Sequence, residues 1–111
     1  MLEKELEKKF TEKVKAAGGR AYKFVSPGND GVPDRLVVLP GGRIGFVELK
    51  QKGKKPTKLQ SLQMERLKGY GCFVCVLDDP EAIDSVIFGI EQCTGEQHDI
   101  VLDILEAGGL I

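Results

Sequence analysis

The sequence predicts an α/β domain built on a mixed β-sheet with helices on its faces. The expected order is helix, three strands, helix, strand, then further helices. Three observations predict it. Apolar residues recur at helical spacing near the N-terminus. Three β-rich runs follow, divided by Gly- and Pro-containing turns. A cappable helical stretch then separates the third run from a fourth, wholly apolar one. A helix between the third and fourth strands permits a parallel crossover, so the sheet is expected to be mixed.

Leu2, Leu6, Phe10, Val14 and Ala17 mark one face of an amphipathic helix over residues 2–17, which Gly18-Gly19 ends. Residues 20–26 read as a strand, and Pro27-Gly28-Asn29-Asp30-Gly31 is turn chemistry throughout. A hairpin follows, with Asp34–Leu39 and Arg43–Lys50 joined through Pro40, Gly41 and Gly42. Residues 51–56 form a basic loop, and Thr57 can cap a helix running to about Lys68. Leu59, Leu62, Met64 and Leu67 give that helix apolar positions without a clean stripe. Residues 72–77 form a continuous apolar run of buried-strand length. Asp79-Pro80-Glu81 starts a helix continued by Ala82, Val86, Ile87 and Ile90, and residues 97–107 suggest another.

At 111 residues the chain is expected to form one domain, with a core over about 2–77 and a helical extension over about 80–111. Apolar content of 41% and charged content of 30% fit a soluble globular protein, and no apolar run is long enough to span a membrane. The charged N-terminus lacks the apolar stretch of a signal peptide, and three cysteines suit a reducing compartment, so a cytoplasmic setting is expected. Cys72 and Cys75 are expected on opposite strand faces as core residues. His98, the only histidine, is read as a surface residue.

The net charge of −1 hides an asymmetry. Residues 1–70 hold all 16 Lys and Arg with eight acids, whereas residues 71–111 hold nine acids and no Lys or Arg. A neutral total therefore does not exclude a polyanionic partner. The densest basic stretch is Lys50, Lys52, Lys54, Lys55 and Lys58.

If the hairpin loop is three residues long, Leu39 pairs with Arg43, and counting back places Asp34 opposite Glu48. Directly opposed like charges are destabilising, and a divalent metal would offset them. Lys50 shares the strand face of Glu48. Carboxylates suit a hard cation such as Mg²⁺, and a neighbouring lysine can serve a water or a phosphate. Asp, then Glu-x-Lys, on adjacent strand ends is thus a minimal kit for metal-assisted phosphodiester cleavage.

Gly31-Val32-Pro33-Asp34-Arg35, then Phe46-Val47-Glu48-Leu49-Lys50, then Lys58-Leu59-Gln60 opening a helix, resembles the VRR-NUC (virus-type replication-repair nuclease) family of the PD-(D/E)xK superfamily. The likeness runs from about Leu2 to Leu77 and is to the compact stand-alone type of phages and bacteria. It implies a restriction-endonuclease-like αβββαβ core with extra C-terminal helices. It implies that Asp34 and Glu48 bind Mg²⁺ or Mn²⁺ with the Leu49 carbonyl, that Lys50 serves the water or scissile phosphate, and that Gln60 supports the site. Such nucleases often add a glutamate from the first helix. Glu3 and Glu7 both qualify, and Glu7 is preferred because it lies nearer the packed part of that helix. Asp30 is read as a turn residue and Gln63 as a competitor for the role of Gln60.

The expected activity is a metal-dependent, structure-selective DNA endonuclease acting on branched DNA such as Holliday junctions. Lys52, Lys54, Lys55 and Lys58 are the expected DNA contacts. A C₂ homodimer would supply two symmetric cuts, and the acidic 71–111 segment is a candidate for the dimer contact. With no Trp, two Tyr and five Phe, the composition favours recognition of backbone and shape over base stacking. The rival readings are a non-catalytic nucleic-acid-binding module and a replication accessory protein that keep the fold.

Overall fold

The computed structural model describes residues 1–93. The second C-terminal helix expected over 97–107, and His98, lie outside them. The first helix, α1 (Glu3–Ala16), buries Leu6, Phe10 and Val14, the face its apolar spacing predicts. It stops in a Schellman arrangement. Gly18 adopts φ +87°, and the Gly18 and Gly19 N–H groups donate to the carbonyls of Lys15 and Val14, each at 3.0 Å.

Four strands form one sheet in the order β1 (Arg20–Lys23), β2 (Arg35–Leu39), β3 (Arg43–Leu49) and β4 (Phe73–Leu77). The first three are antiparallel neighbours, and β4 runs parallel to β3. The second helix, α2 (Lys58–Gly69), makes the crossover between β3 and β4. A 3-10 turn over Pro80–Ala82 leads into α3 (Ile83–Cys93), and the Asp79 carboxylate caps that turn by accepting from the Glu81 N–H at 2.9 Å. The first strand is shorter than the expected 20–26. Beyond Lys23 one bond remains, Phe24 N–H to Asp34 O at 2.9 Å, and the chain then leaves the sheet for the Pro27-Gly28 turn.

The two faces of the sheet are covered differently. Side chains alternate along a strand, so Val37 and Leu39 of β2 share a face with Val47 and Leu49 of β3. These pack with Leu6, Phe10 and Val14 of α1 and Ile83, Ile87 and Ile90 of α3 into the main core. Gly45 lies on this face, where an added Cβ would stand 2.6 Å from Ile90 Cγ1. The absence of a side chain there is what lets α3 settle onto the strands. Met64 of α2 and Val74 of β4 are buried outside that cluster, because α2 packs against β4 on the other face. Met64 is the one buried residue of α2, so the lack of a clean apolar stripe corresponds to a helix that is only half covered.

Candidate active site

The hairpin register is the one the three-residue loop requires. Leu39 pairs with Arg43 and Arg35 with Val47, which sets Asp34 opposite Glu48 at the mouth of the ladder. Both hairpin glycines take positive φ, +89° at Gly41 and +71° at Gly42, a conformation that costs glycine least. Asp34 is held at both ends. Its carbonyl accepts from Phe24 N–H at 2.9 Å, and its Oδ2 accepts from Leu49 N–H at 2.9 Å. The Asp34 carboxylate is therefore laid across onto β3 beside Glu48 and remains exposed to solvent.

Glu48 is the one buried charged residue among those described, with 1% of its surface exposed. Burial, first, and then hydrogen bonding and charge repulsion from Asp34 push its carboxyl up to about 8. Lys50 pulls the other way, and Glu3 adds a smaller upward push. The Oε2 atom of Glu48 is buried without a hydrogen-bond partner. An orphaned carboxylate oxygen facing a second carboxylate is costly in a folded protein. Either a proton or a cation relieves it. The available donors are oxygens, which suit a hard divalent ion. Among the described residues no three His, Cys, Asp or Glu side chains converge on one point. A cation held here would complete its shell with main-chain oxygen and water, as Mg²⁺ commonly does. The residues present fit such an ion.

The remaining candidates are distributed as follows. Lys50 is half-buried just past β3, with its N–H donating to Leu77 O at 3.0 Å. The side chain of Leu49 is in the core, so only its main chain faces the pair. Gln60 is turned into a capping box: its Oε1 accepts from Thr57 N–H at 2.9 Å, and Thr57 Oγ1 accepts from Gln60 N–H at 3.1 Å. No hydrogen bond joins it to Asp34 or Glu48. Gln63 donates to the Asp30 carbonyl at 3.2 Å, pinning the loop before Asp34 to α2. Lys52 pairs with Asp79 at 3.5 Å, while Lys54, Lys55 and Lys58 are exposed and form no ion pair among the described residues. Cys75 packs against the core, where burial raises its thiol to about 11.

The structure separates the two α1 glutamates. The Glu7 carboxylate binds the Arg35 guanidinium on the main-core face of the sheet. Glu3, one turn earlier, is the α1 acid whose charge reaches Glu48. Nearness to the packed part of α1 thus points away from the acidic pair, because the packed part lies over the opposite sheet face. Arg35 itself escapes the sequence reading. It also donates to the Ala21 carbonyl at 3.0 Å, so it ties α1, β1 and β2 together directly behind Asp34. Its signal was present in the sequence: a charged residue in phase with Val37 and Leu39 requires a buried partner.

A mixed αβββαβ sheet that brings two carboxylates and a lysine to neighbouring strand ends defines a nuclease-type α/β domain of restriction-endonuclease-like fold. A solved structure described as a VRR_NUC domain matches with a TM-score of 0.73 and 35% identity, over 78% of this chain and 95% of that one. A protein of Acyrthosiphon pisum secondary endosymbiont phage 1, named "Putative nuclease p44", is 52% identical over 79 residues, which are 71% of this chain and 85% of the phage protein. A scan against protein-family models matches none. The chain belongs to the VRR-NUC domain family.

Proposed function

We propose that this protein is a Mg²⁺- or Mn²⁺-dependent endonuclease that hydrolyses DNA phosphodiesters, acting as a homodimer on branched DNA such as Holliday junctions. The observation that carries the metal-dependent reading is the buried, unpartnered Glu48 Oε2 beside Asp34. Asp34, Glu48 and the Leu49 carbonyl would hold the ion, with Glu3 rather than Glu7 as the acid contributed by α1. Once bound, the ion supplies Lewis-acid polarisation of the phosphate and a more acidic water.

The chain's own groups do the rest. The Leu49 N–H fixes one oxygen of Asp34 and so orients the carboxylate before substrate arrives. Glu48 itself is shut off from bulk water, with 1% of its surface exposed, which strengthens its interaction with any cation beside it. Lys50 places a positive ammonium where negative charge grows on the phosphate, or orients the attacking water. Attack on phosphorus with loss of the 3′ oxygen leaves a 5′-phosphate. The exposed Lys54, Lys55 and Lys58 follow Lys50 in the chain and give the flanking DNA backbone cationic contacts.

The test is cleavage of a labelled four-way junction with Mg²⁺, Mn²⁺ or chelator, by wild type, Glu48→Ala and Lys50→Ala. Metal-dependent cutting by the wild type alone supports the reading. Tight binding without cutting by any of the three identifies a binding module instead. Equal cutting by all three identifies a contaminant. A monomer mass at micromolar concentration would overturn the dimer.

A further inference from the structure

The seven aromatic residues are too few to suggest base stacking, yet the fold gathers three of them beside the acidic pair. Tyr22 pairs with Leu36, and Leu36 with Phe46, so the three side chains share one face of the sheet. Asp34 and Glu48 lie in phase with them on that face. Phe24, whose N–H bonds Asp34, reaches the ring of Phe46, with centroids 5.4 Å apart and planes tilted by 50°. Tyr22 stands half exposed at 48%, and the Arg20 guanidinium lies 5.7 Å from its ring centroid. On this side α2 packs against β4, which leaves the β1 end of the face open.

We propose that Tyr22, backed by Arg20 and by the Phe24–Phe46 pair, is a stacking platform for an unpaired nucleobase next to the scissile phosphate. The substrate class it selects is DNA with at least one splayed nucleotide at the cut, rather than continuous duplex. This rests on the nuclease reading and adds a determinant of substrate class to it.

Two arguments carry the choice of occupant. The first is distance. Tyr22 lies two residues along the sheet and one strand across from Asp34, roughly 8 Å from strand rise and spacing, about one nucleotide step. A strand whose phosphate is held beside the exposed Asp34 therefore brings a nearby base over this ring. The second is charge. Arg20 adds a cation at the platform, so the face suits a polyanion with a π-surface. Stacking of this kind tolerates any base, so no base preference is expected of it.

The test uses the full-length protein with Ca²⁺ in place of Mg²⁺ to suppress cutting. Its probes are a single-stranded oligonucleotide carrying one 2-aminopurine and a fully paired duplex of the same sequence. Tyr22→Ala should weaken single-strand binding on the order of tenfold, abolish the 2-aminopurine quench and leave duplex binding within about twofold. Tyr22→Phe should restore all three, and thermal melting of both variants verifies that they fold. The platform is overturned if Tyr22→Ala binds single strands as wild type does, or weakens both DNAs equally. It is also overturned if the variant changes the mass of the assembly, which would make this face a contact between copies. A Tyr22-dependent quench in a protein that never cleaves supports the platform while the nuclease reading fails. Glu48-dependent cleavage with no Tyr22 effect separates them the other way.

Discussion

The two faces of the sheet carry the same kinds of residue to opposite ends. Each holds an acid, Asp34 just before β2 or Glu7 of α1, near a second ionisable group. On the main-core face Glu7 meets Arg35, opposite charges in contact, and aliphatic side chains close over the strands. On the other face Asp34 meets Glu48, two carboxyl groups side by side, and the aromatic positions beyond them are partly open. The first arrangement satisfies itself and stabilises the fold. The second is left unsatisfied by the protein alone, which suits the cation and polyanion proposed to bind there. One residue of offset along the chain, Asp34 against Arg35, separates the stabilising face from the candidate site.

The comparison breaks first at Glu48. Glu48→Ala should reduce cleavage by more than about a hundredfold while the protein still melts cooperatively. Retained cleavage would remove Glu48 from the chemistry. The next contrast is between the two α1 acids. Glu7→Gln should lower stability by roughly 1–3 kcal/mol, since it leaves Arg35 half-buried without its partner, and should spare most of the activity. Glu3→Gln should do the reverse, lowering cleavage with little change in melting temperature. Denaturant titration and a cleavage assay on both variants would show it, and the opposite pattern would restore Glu7 as the functional acid.

A third contrast uses pH. The folded protein holds the Glu48 carboxyl up to about 8, above the ordinary 4.5. A raised value means the protonated acid is favoured in the fold. That stability is fully present below about pH 4.5 and is lost as pH rises through about 8. With chelator present, melting temperature should fall across that window, and Glu48→Gln, neutral throughout, should flatten the fall. An unchanged slope in the variant would assign the effect elsewhere. The smallest expected effect on cleavage lies on the main-core face. Gly45→Ala should cost roughly 1–3 kcal/mol, because the new Cβ meets Ile90 at 2.6 Å. Its cleavage by the folded fraction should be unchanged.

Much of the architecture was legible locally. Period-four apolar spacing located α1, Gly18 ended it, and Pro40-Gly41-Gly42 set a register in which Asp34 faces Glu48. Thr57 was legible as a cap, but its partnership with Gln60 was not, although Gln stands three residues on, where a capping box places it. Composition counts aromatics without saying where they meet, so the gathering of Tyr22, Phe24 and Phe46 on one face was not legible in it.

The sequence by itself determined the order of elements, the strand register and the adjacency of the two carboxylates. These follow from interactions within a few residues: turn conformations, caps and the two-residue alternation of a strand. Only the tertiary structure decided which acid of α1 reaches Glu48, that Arg35 takes the other, and that Tyr22, Phe24 and Phe46 share a face with the site. Those outcomes depend on how far a helix is rotated over a sheet and which strands lie side by side. Packing between distant segments sets both, and no local pattern encodes them.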